Sequence, residues 1–169
     1  MTLSRALWLV ALAVAMQITG CAAPSLVTGT TAASVASWRG RLAIRVEPRQ
    51  AQAAAQSFSA GFELAGNAQA GELTLYTPLG TTVAALSWSA RTAVMRNAEG
   101  SQNFESLDAL IKQALGTEIP VAALFAWLAG DNMSAAGWSA DLSRYAEGSI
   151  LARRVQPESE TEIRLLLEK

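Results

Sequence analysis

The sequence contains no histidine, one cysteine and only two lysines. Without imidazole there is no Ser-His-Asp or Cys-His nucleophile, no His-ligated zinc, and no side chain with an ordinary pKa near neutrality for acid-base work. One cysteine excludes a disulfide framework and a cysteine-rich metal site. Charge is scarce: 13 Lys+Arg against 14 Asp+Glu leave a net charge of −1 over 169 residues. Nucleic-acid binding would need a basic footprint that this balance does not supply. No Gly-rich phosphate loop occurs in either common form, GxxxxGK(S/T) or GxGxxG. Neither Lys112 nor Lys169 lies beside a serine in a dyad pattern. Composition leaves open a pair of carboxylates acting as a glycosidase-like acid and base. The acidic residues, however, fall mostly at outward or turn positions, and Glu158, Glu160 and Glu162 read as a solvated cluster. The chain is therefore expected not to be an enzyme and to use no metal or cofactor. Its length fits about one domain.

The apolar fraction is high at 51%, but 34 of those residues are alanine, so large core-forming side chains are fewer than it suggests. Part of the excess is concentrated at the N-terminus. Arg5 precedes an uncharged apolar run, residues 6–16, which is too short to span a bilayer. Ile18-Thr19-Gly20-Cys21 follows, the pattern of a bacterial lipobox: an aliphatic residue, small residues that let the cleavage enzyme reach the backbone, then the cysteine that carries the lipid. Residues 1–20 are expected to be a lipoprotein signal peptide and Cys21 the lipidation site. Cleavage before Cys21 leaves 149 residues. One acyl chain anchors marginally and two or more anchor stably. Ala22 follows the cysteine; an aspartate there would point to inner-membrane retention, so the outer membrane is favoured. Residues 21–37, rich in Ala, Ser and Thr and free of charge, are expected to be a flexible tether. Residues 38–169 are expected to be a single domain.

Within that domain the apolar period is first 2. Trp38, Gly40, Leu42, Ile44 and Val46 share one face of a strand, with Arg39, Arg41, Ala43 and Arg45 on the other. Residues 47–56, with Pro48 and an Ala/Gln run, are expected to be a loop. Phe58, Ala60, Phe62 and Leu64 alternate over 57–64, and Leu73 and Leu75 over 72–76. Thr77-Pro78-Leu79-Gly80 is a turn by its Pro and Gly. Strands follow at 81–88 and 92–96. Successive strands at hairpin spacing favour an antiparallel meander or barrel.

The period then changes. Phe104, Leu107, Leu110, Ile111, Ala114 and Leu115 follow helical spacing, with Ser106 as N-cap, Asp108 in the first turn and Gly116 at the C-terminal end. Pro120 is placed at the first position of a second helix, with Val121, Leu124, Phe125 and Leu128 as its stripe. Strands resume at 138–145, 150–155 and 162–167. The last contains Ile163-Arg164-Leu165-Leu166-Leu167, apolar enough to be covered on both faces. The pattern predicts a mainly β fold with a helical lid, an unclosed antiparallel β-barrel covered by short α-helices.

Two features remain ambiguous on residue pattern alone. Inward aromatic and aliphatic residues suit an apolar-ligand cavity, yet small barrels are usually filled by their own side chains, which makes Trp38, Phe58, Phe62 and Trp88 core. Leu79 sits at a Pro-Gly turn. It either folds over the barrel mouth or projects, and a projecting leucine invites a membrane or a partner.

The chain resembles the LolB family of outer-membrane lipoprotein receptors. The likeness runs through Gly40-Arg41-Leu42-Ala43, Phe58 and Phe62, and Leu73-x-Leu75-x-Thr77-Pro78-Leu79-Gly80-Thr81. It continues through Leu115-Gly116, Ile119-Pro120-Val121, Leu124-x-x-Trp127-Leu128-x-Gly130 and Trp138. No single piece is diagnostic; together, in this order and behind a lipobox, they are fairly specific. The resemblance implies a lipid-anchored protein on the periplasmic face of the outer membrane. Such a receptor takes acylated lipoproteins from a LolA-like periplasmic carrier and inserts them into the membrane phospholipid without nucleotide hydrolysis. It implies an acyl-binding cavity formed from Trp38, Leu42, Phe58, Phe62, Leu73, Trp88, Leu124 and Trp127, and a membrane-insertion loop of Pro78, Leu79 and Gly80. A monomer is expected, and no nucleic acid. The alternative is a non-catalytic envelope assembly lipoprotein that binds a protein partner through its β-surface. Arg39, Arg41 and Arg45 either face an acidic carrier or form a solvated strand face.

Overall fold

The computed structural model describes residues 35–47, 54–135, 137–154 and 160–168. Cys21, the signal, most of the tether, most of the Ala-rich loop and the turn at Pro157 lie outside the described residues. The described residues belong to one compact unit, Ser34–Lys169.

Among the described residues nine antiparallel strands form a single open sheet: β1 Ser37–Val46, β2 Gln56–Gly66, β3 Gly71–Tyr76, β4 Thr82–Trp88, β5 Ala93–Asn97, β6 Gly100–Phe104, β7 Trp138–Asp141, β8 Ser149–Arg154 and β9 Thr161–Leu167. The order across the sheet is β6-β5-β4-β3-β2-β1-β9-β8-β7. Each hairpin places its strand beside the last, and the chain returns from β6 through two helices to lay β7 to β9 against the free side of β1. The barrel is thus unclosed, with β6 and β7 at its two margins, as the strand pattern predicts.

Period 2 in sequence becomes two faces in space. Leu42 and Ile44 of β1 lie opposite Ala60 and Phe58 of β2, and opposite Leu165 and Ile163 of β9. All but Phe58 are buried, and Phe58 is half-buried against them. Gly40 belongs to this inward row for a steric reason. A Cβ there would stand 1.9 Å from the carbonyl oxygen of Leu166, so any side chain would force β9 off β1.

Helix α1, Leu107–Leu115, is capped as its sequence predicts. Ser106 Oγ accepts from the Ala109 N–H at 3.2 Å, and Gly116, in the left-handed region at φ 74°, donates to Lys112 O. Its stripe of Leu110, Ile111 and Leu115 is buried over the β4–β6 end of the sheet. Helix α2, Val121–Leu128, starts one residue later than expected, with Pro120 as the N-cap. Because α2 is apolar on nearly every side, its buried face includes Ala123 and Trp127 as well as Val121 and Leu128.

The structure corrects three expectations. β6 has no apolar alternation and was not predicted: Gly-Ser-Gln-Asn is exposed and only Phe104 is half-buried. It is a margin strand held by the backbone ladder to β5, which leaves no trace in hydropathy. Phe104 therefore ends a strand instead of opening the helix. The strand predicted over 138–145 stops at Asp141. Tyr145–Glu147 instead makes a 3-10 turn closed by Gly148 at φ 80°, and Tyr145 Oη donates to Leu128 O at 2.9 Å, tying the turn to α2. The final run is covered on one face only. Ile163 and Leu165 are buried, whereas Leu166 is 48% exposed.

Polar contacts hold the two layers in register. The Arg154 guanidinium of β8 is buried. It donates to Thr117 Oγ1 at 3.3 Å and Thr161 Oγ1 at 3.2 Å, lies 3.4 Å from Glu118 O, and stands 5.4 Å over the Trp138 ring. This pins the α1–α2 connection to the far end of the sheet.

On the outer face, Glu162 accepts from Arg153 at 3.1 Å and Arg164 at 2.9 Å. The Arg153 hydrogen bond, more than any other contact, holds its carboxyl below the ordinary value of 4.5. A depressed carboxylate stabilises the fold above its ordinary pKa and loses that contribution as pH falls through the folded value. Its side chain is 31% exposed, so the contribution is modest, under about 1 kcal/mol. Glu162→Gln is expected to be slightly less stable than the parent at neutral pH. Urea midpoints of the two forms should converge as pH drops below 4.5; a gap that persists in acid would refute this.

Candidate functional site

The concave face of the sheet and the two helices enclose a wholly apolar space. The sheet contributes Leu42, Phe62, Leu64, Leu73, Trp88, Ile163 and Leu165, and the helical layer Leu107, Ile111, Leu115, Ile119, Val121, Leu124, Phe125 and Leu128. Every one is apolar: each occupies an inward position of a strand or the inner stripe of a helix, except Ile119, which is buried in the connection between the helices. Phe125 is the keystone of the cover. Its ring meets Trp38 edge-on at 5.7 Å and Trp88 at 6.3 Å, so α2 is seated on aromatics from β1 and β4. Trp88 is itself fixed, its Nε1–H donating to Asn67 O at 2.9 Å.

With the helices in place the remaining cavity is small, about 40 Å³. That is room for about one water molecule. The concave face is therefore filled by the lid's own side chains in this conformation, and any larger apolar ligand must take the place of α1 and α2 residues.

Of the eight residues expected at the cavity, Leu42, Phe62, Leu73, Trp88 and Leu124 line this space. The other three lie elsewhere. Trp38 stands at its margin, half-buried and opening onto a larger polar cleft with Arg39, Glu63, Glu72 and Tyr145. Phe58 is half-buried against the core. Trp127 is fully buried on the other side of α2, where its Nε1–H donates to Met133 O at 2.9 Å and its ring meets Trp138 at 6.2 Å. Alternation finds strand residues but not helical ones. Ile111, Leu115 and Phe125 carry the inner stripes of the helices, and only the docking of those helices shows that they seal the cavity.

At one end of the sheet the β3–β4 turn projects. The Gly80 N–H donates to Thr77 O at 2.9 Å, the Thr77 N–H to Thr81 O at 2.8 Å, and the Thr81 N–H to Thr77 Oγ1 at 3.1 Å. Pro78 sets φ at the second position and Gly80 takes φ +83°, so the turn is ordered by backbone and Thr77 alone. At its tip Leu79 is 95% exposed, far more than any other large apolar side chain described. A leucine held fully in water on a rigid turn contributes nothing to the core.

Fold and site together define a class by architecture: an open antiparallel half-barrel with a two-helix cover over an apolar concave face and an apolar loop outside it. Comparison with known proteins agrees with this. The family model for the outer membrane lipoprotein LolB matches residues 36–136. The outer-membrane lipoprotein LolB of Bordetella petrii is 29% identical, the match covering 88% of this chain and 85% of that protein. The outer-membrane lipoprotein LolB of Bordetella pertussis is 31% identical, covering 76% of this chain and 75% of that protein. The chain belongs to the LolB family of outer-membrane lipoproteins, which act in lipoprotein localisation. Among the described residues no helix is long and apolar enough to cross a membrane.

Proposed function

We propose that this protein receives acylated lipoproteins from a LolA-like periplasmic carrier and inserts them into the phospholipid of the outer membrane, to which it is anchored through Cys21. The observation that carries this reading is the pairing of a wholly apolar lidded face with an exposed, pinned Leu79. The acyl chains occupy the concave face once α1 and α2 move outward, and the Leu79 turn enters the bilayer to release them. No catalytic group is required. Each methylene contributes about 0.8 kcal/mol wherever it is buried, so small differences in fit along a carrier, this half-barrel and the bilayer set the direction of transfer.

The test is a titration of the mature chain carrying Cys21→Ala with a fluorescent fatty-acid probe. Saturable binding is expected, displaced by unlabelled acyl chain and accompanied by a change in tryptophan emission as Trp88 and Trp38 part from Phe125. The filled cavity of the closed conformation favours the competing reading, an assembly lipoprotein that binds a protein through its β-surface. Absence of probe binding would decide for it.

A further inference from the structure

The outer face of the sheet carries a groove of about 390 Å³ beside the Leu79 turn. Its floor is made of small residues in register, Ala43 opposite Ser59 and Gly61 opposite Arg41. Two arginines stand over that floor. Arg41 lies opposite Leu166, and Arg164 lies opposite Ala43, both across the β1–β9 ladder. Thr77 and Pro78 close the far end, and Pro78 is the residue next to Leu79.

The charges here are not spent alike. Arg45 is paired with Glu47, and Arg39 faces Glu63 across the β1–β2 ladder. Arg41, between them in the same outward row, is exposed and forms no ion pair among the described residues. Arg164 gives Nη2 to Glu162 at 2.9 Å, and a guanidinium has five donors. Among the described residues Glu168 is the one acidic residue lining the groove beside Arg41 and Arg164, which leaves that lining cationic by one charge. The apolar Leu166 beside Arg41 is a surface against which an arginine stem can lie while its head stays wet.

We propose that this groove binds the phosphate of a phospholipid headgroup, with Arg41 and Arg164 as its donors, while Leu79 occupies the acyl layer. The proposal rests on the reading of Leu79 as a membrane-entering residue and adds the lipid group that the loop's base would hold. The dimensions agree. Each polar zone of a bilayer is roughly 5–8 Å deep, and Pro78 is about 3.8 Å along the chain from Leu79. When the leucine reaches the acyl boundary, the Pro78 end of the groove lies within the headgroup zone, and the long arginine side chains of β1 and β9 face the same groove. Arginine suits the site because its planar fork matches phosphate oxygens. A lipid is favoured over an acidic protein surface because the groove borders the turn whose bare Leu79, 95% exposed, an acyl layer would cover and a charged protein surface would not.

The test is co-sedimentation of the mature chain carrying Cys21→Ala with vesicles of phosphatidylethanolamine and phosphatidylglycerol at low ionic strength. Arg41→Gln is expected to weaken association roughly fivefold, and Arg41→Gln with Arg164→Gln more than tenfold. Arg96→Gln removes the same charge from an exposed position of β5 and should change association less than twofold. Arg41→Lys, which keeps the charge without the fork, should fall between wild type and Arg41→Gln. Equal effects of Arg41→Gln and Arg96→Gln would overturn the proposal. So would Arg41→Gln vesicle binding at the wild-type level with slower cargo acceptance from the carrier, which would assign the groove to an acidic protein. Leu79→Glu separates the two layers of the argument. Its loss of vesicle binding beside a silent Arg41→Gln sinks the groove alone, whereas unaltered binding of Leu79→Glu sinks the loop reading on which the groove depends.

Discussion

Leu79→Glu is expected to fold normally, accept acylated cargo and fail to deliver it into liposomes. The side chain is 95% exposed, and the hydrogen bonds of the turn run through backbone groups and Thr77 Oγ1. The change should therefore move stability by no more than about 0.5 kcal/mol, as for other isolated surface positions. Its effect at a membrane is far larger. Taking a leucine out of water contributes about 1.5–3 kcal/mol, and a carboxylate in its place adds a desolvation cost instead. Together these predict a loss of delivery of roughly a hundredfold or more, read by flotation of liposomes after incubation with loaded carrier. Acceptance is measured separately, as cargo moved from carrier to the variant without lipid. Delivery at the wild-type rate would remove the loop from the mechanism.

The second large effect separates packing from ligand contact within one helix. Trp127 and Leu124 lie three residues apart on α2; Leu124 belongs to the apolar stripe of the helix, and the family resemblance places both at the cavity. In the structure they have different tasks. Trp127 is fully buried away from the cavity, hydrogen-bonded to Met133 O and packed on Trp138, while Leu124 is half-buried and faces the apolar space. Trp127→Ala should cost about 3–5 kcal/mol, a large part of the roughly 5–15 kcal/mol that holds a domain folded. It also strands the Met133 carbonyl. Leu124→Ala, at a site already half-open, should cost about 1–2 kcal/mol and show its effect in affinity for the fatty-acid probe. Urea midpoints and probe titrations on both variants test this. A stable Trp127→Ala that no longer binds probe would return Trp127 to the cavity.

The strands of this protein were legible wherever one face is buried and the other wet. β1 is the clearest case, its arginines alternating with Leu42 and Ile44, because a strand that faces both core and water must alternate. The margin strand β6 was not legible, since it is held by ladder hydrogen bonds that any residue can make. The helix caps at Ser106 and Gly116 were legible because capping is local chemistry. The final run was apolar enough for cover on both faces, yet Leu166 is exposed, because a run of leucines does not say how many faces of its strand meet another layer.

By itself, the sequence determined the family, the half-barrel, the faces of its main strands and the turn that carries Leu79. These follow from local chemistry: side-chain period, caps, and the Pro and Gly that bend the chain. Only the tertiary structure decided that Leu79 projects instead of folding back, and that the concave face is closed down to about 40 Å³. It also decided that Trp127 packs away from the cavity and that Arg41, beside the turn, has no ion pair among the described residues. Each of these depends on which residues from distant parts of the chain arrive at one place, and no local pattern encodes that.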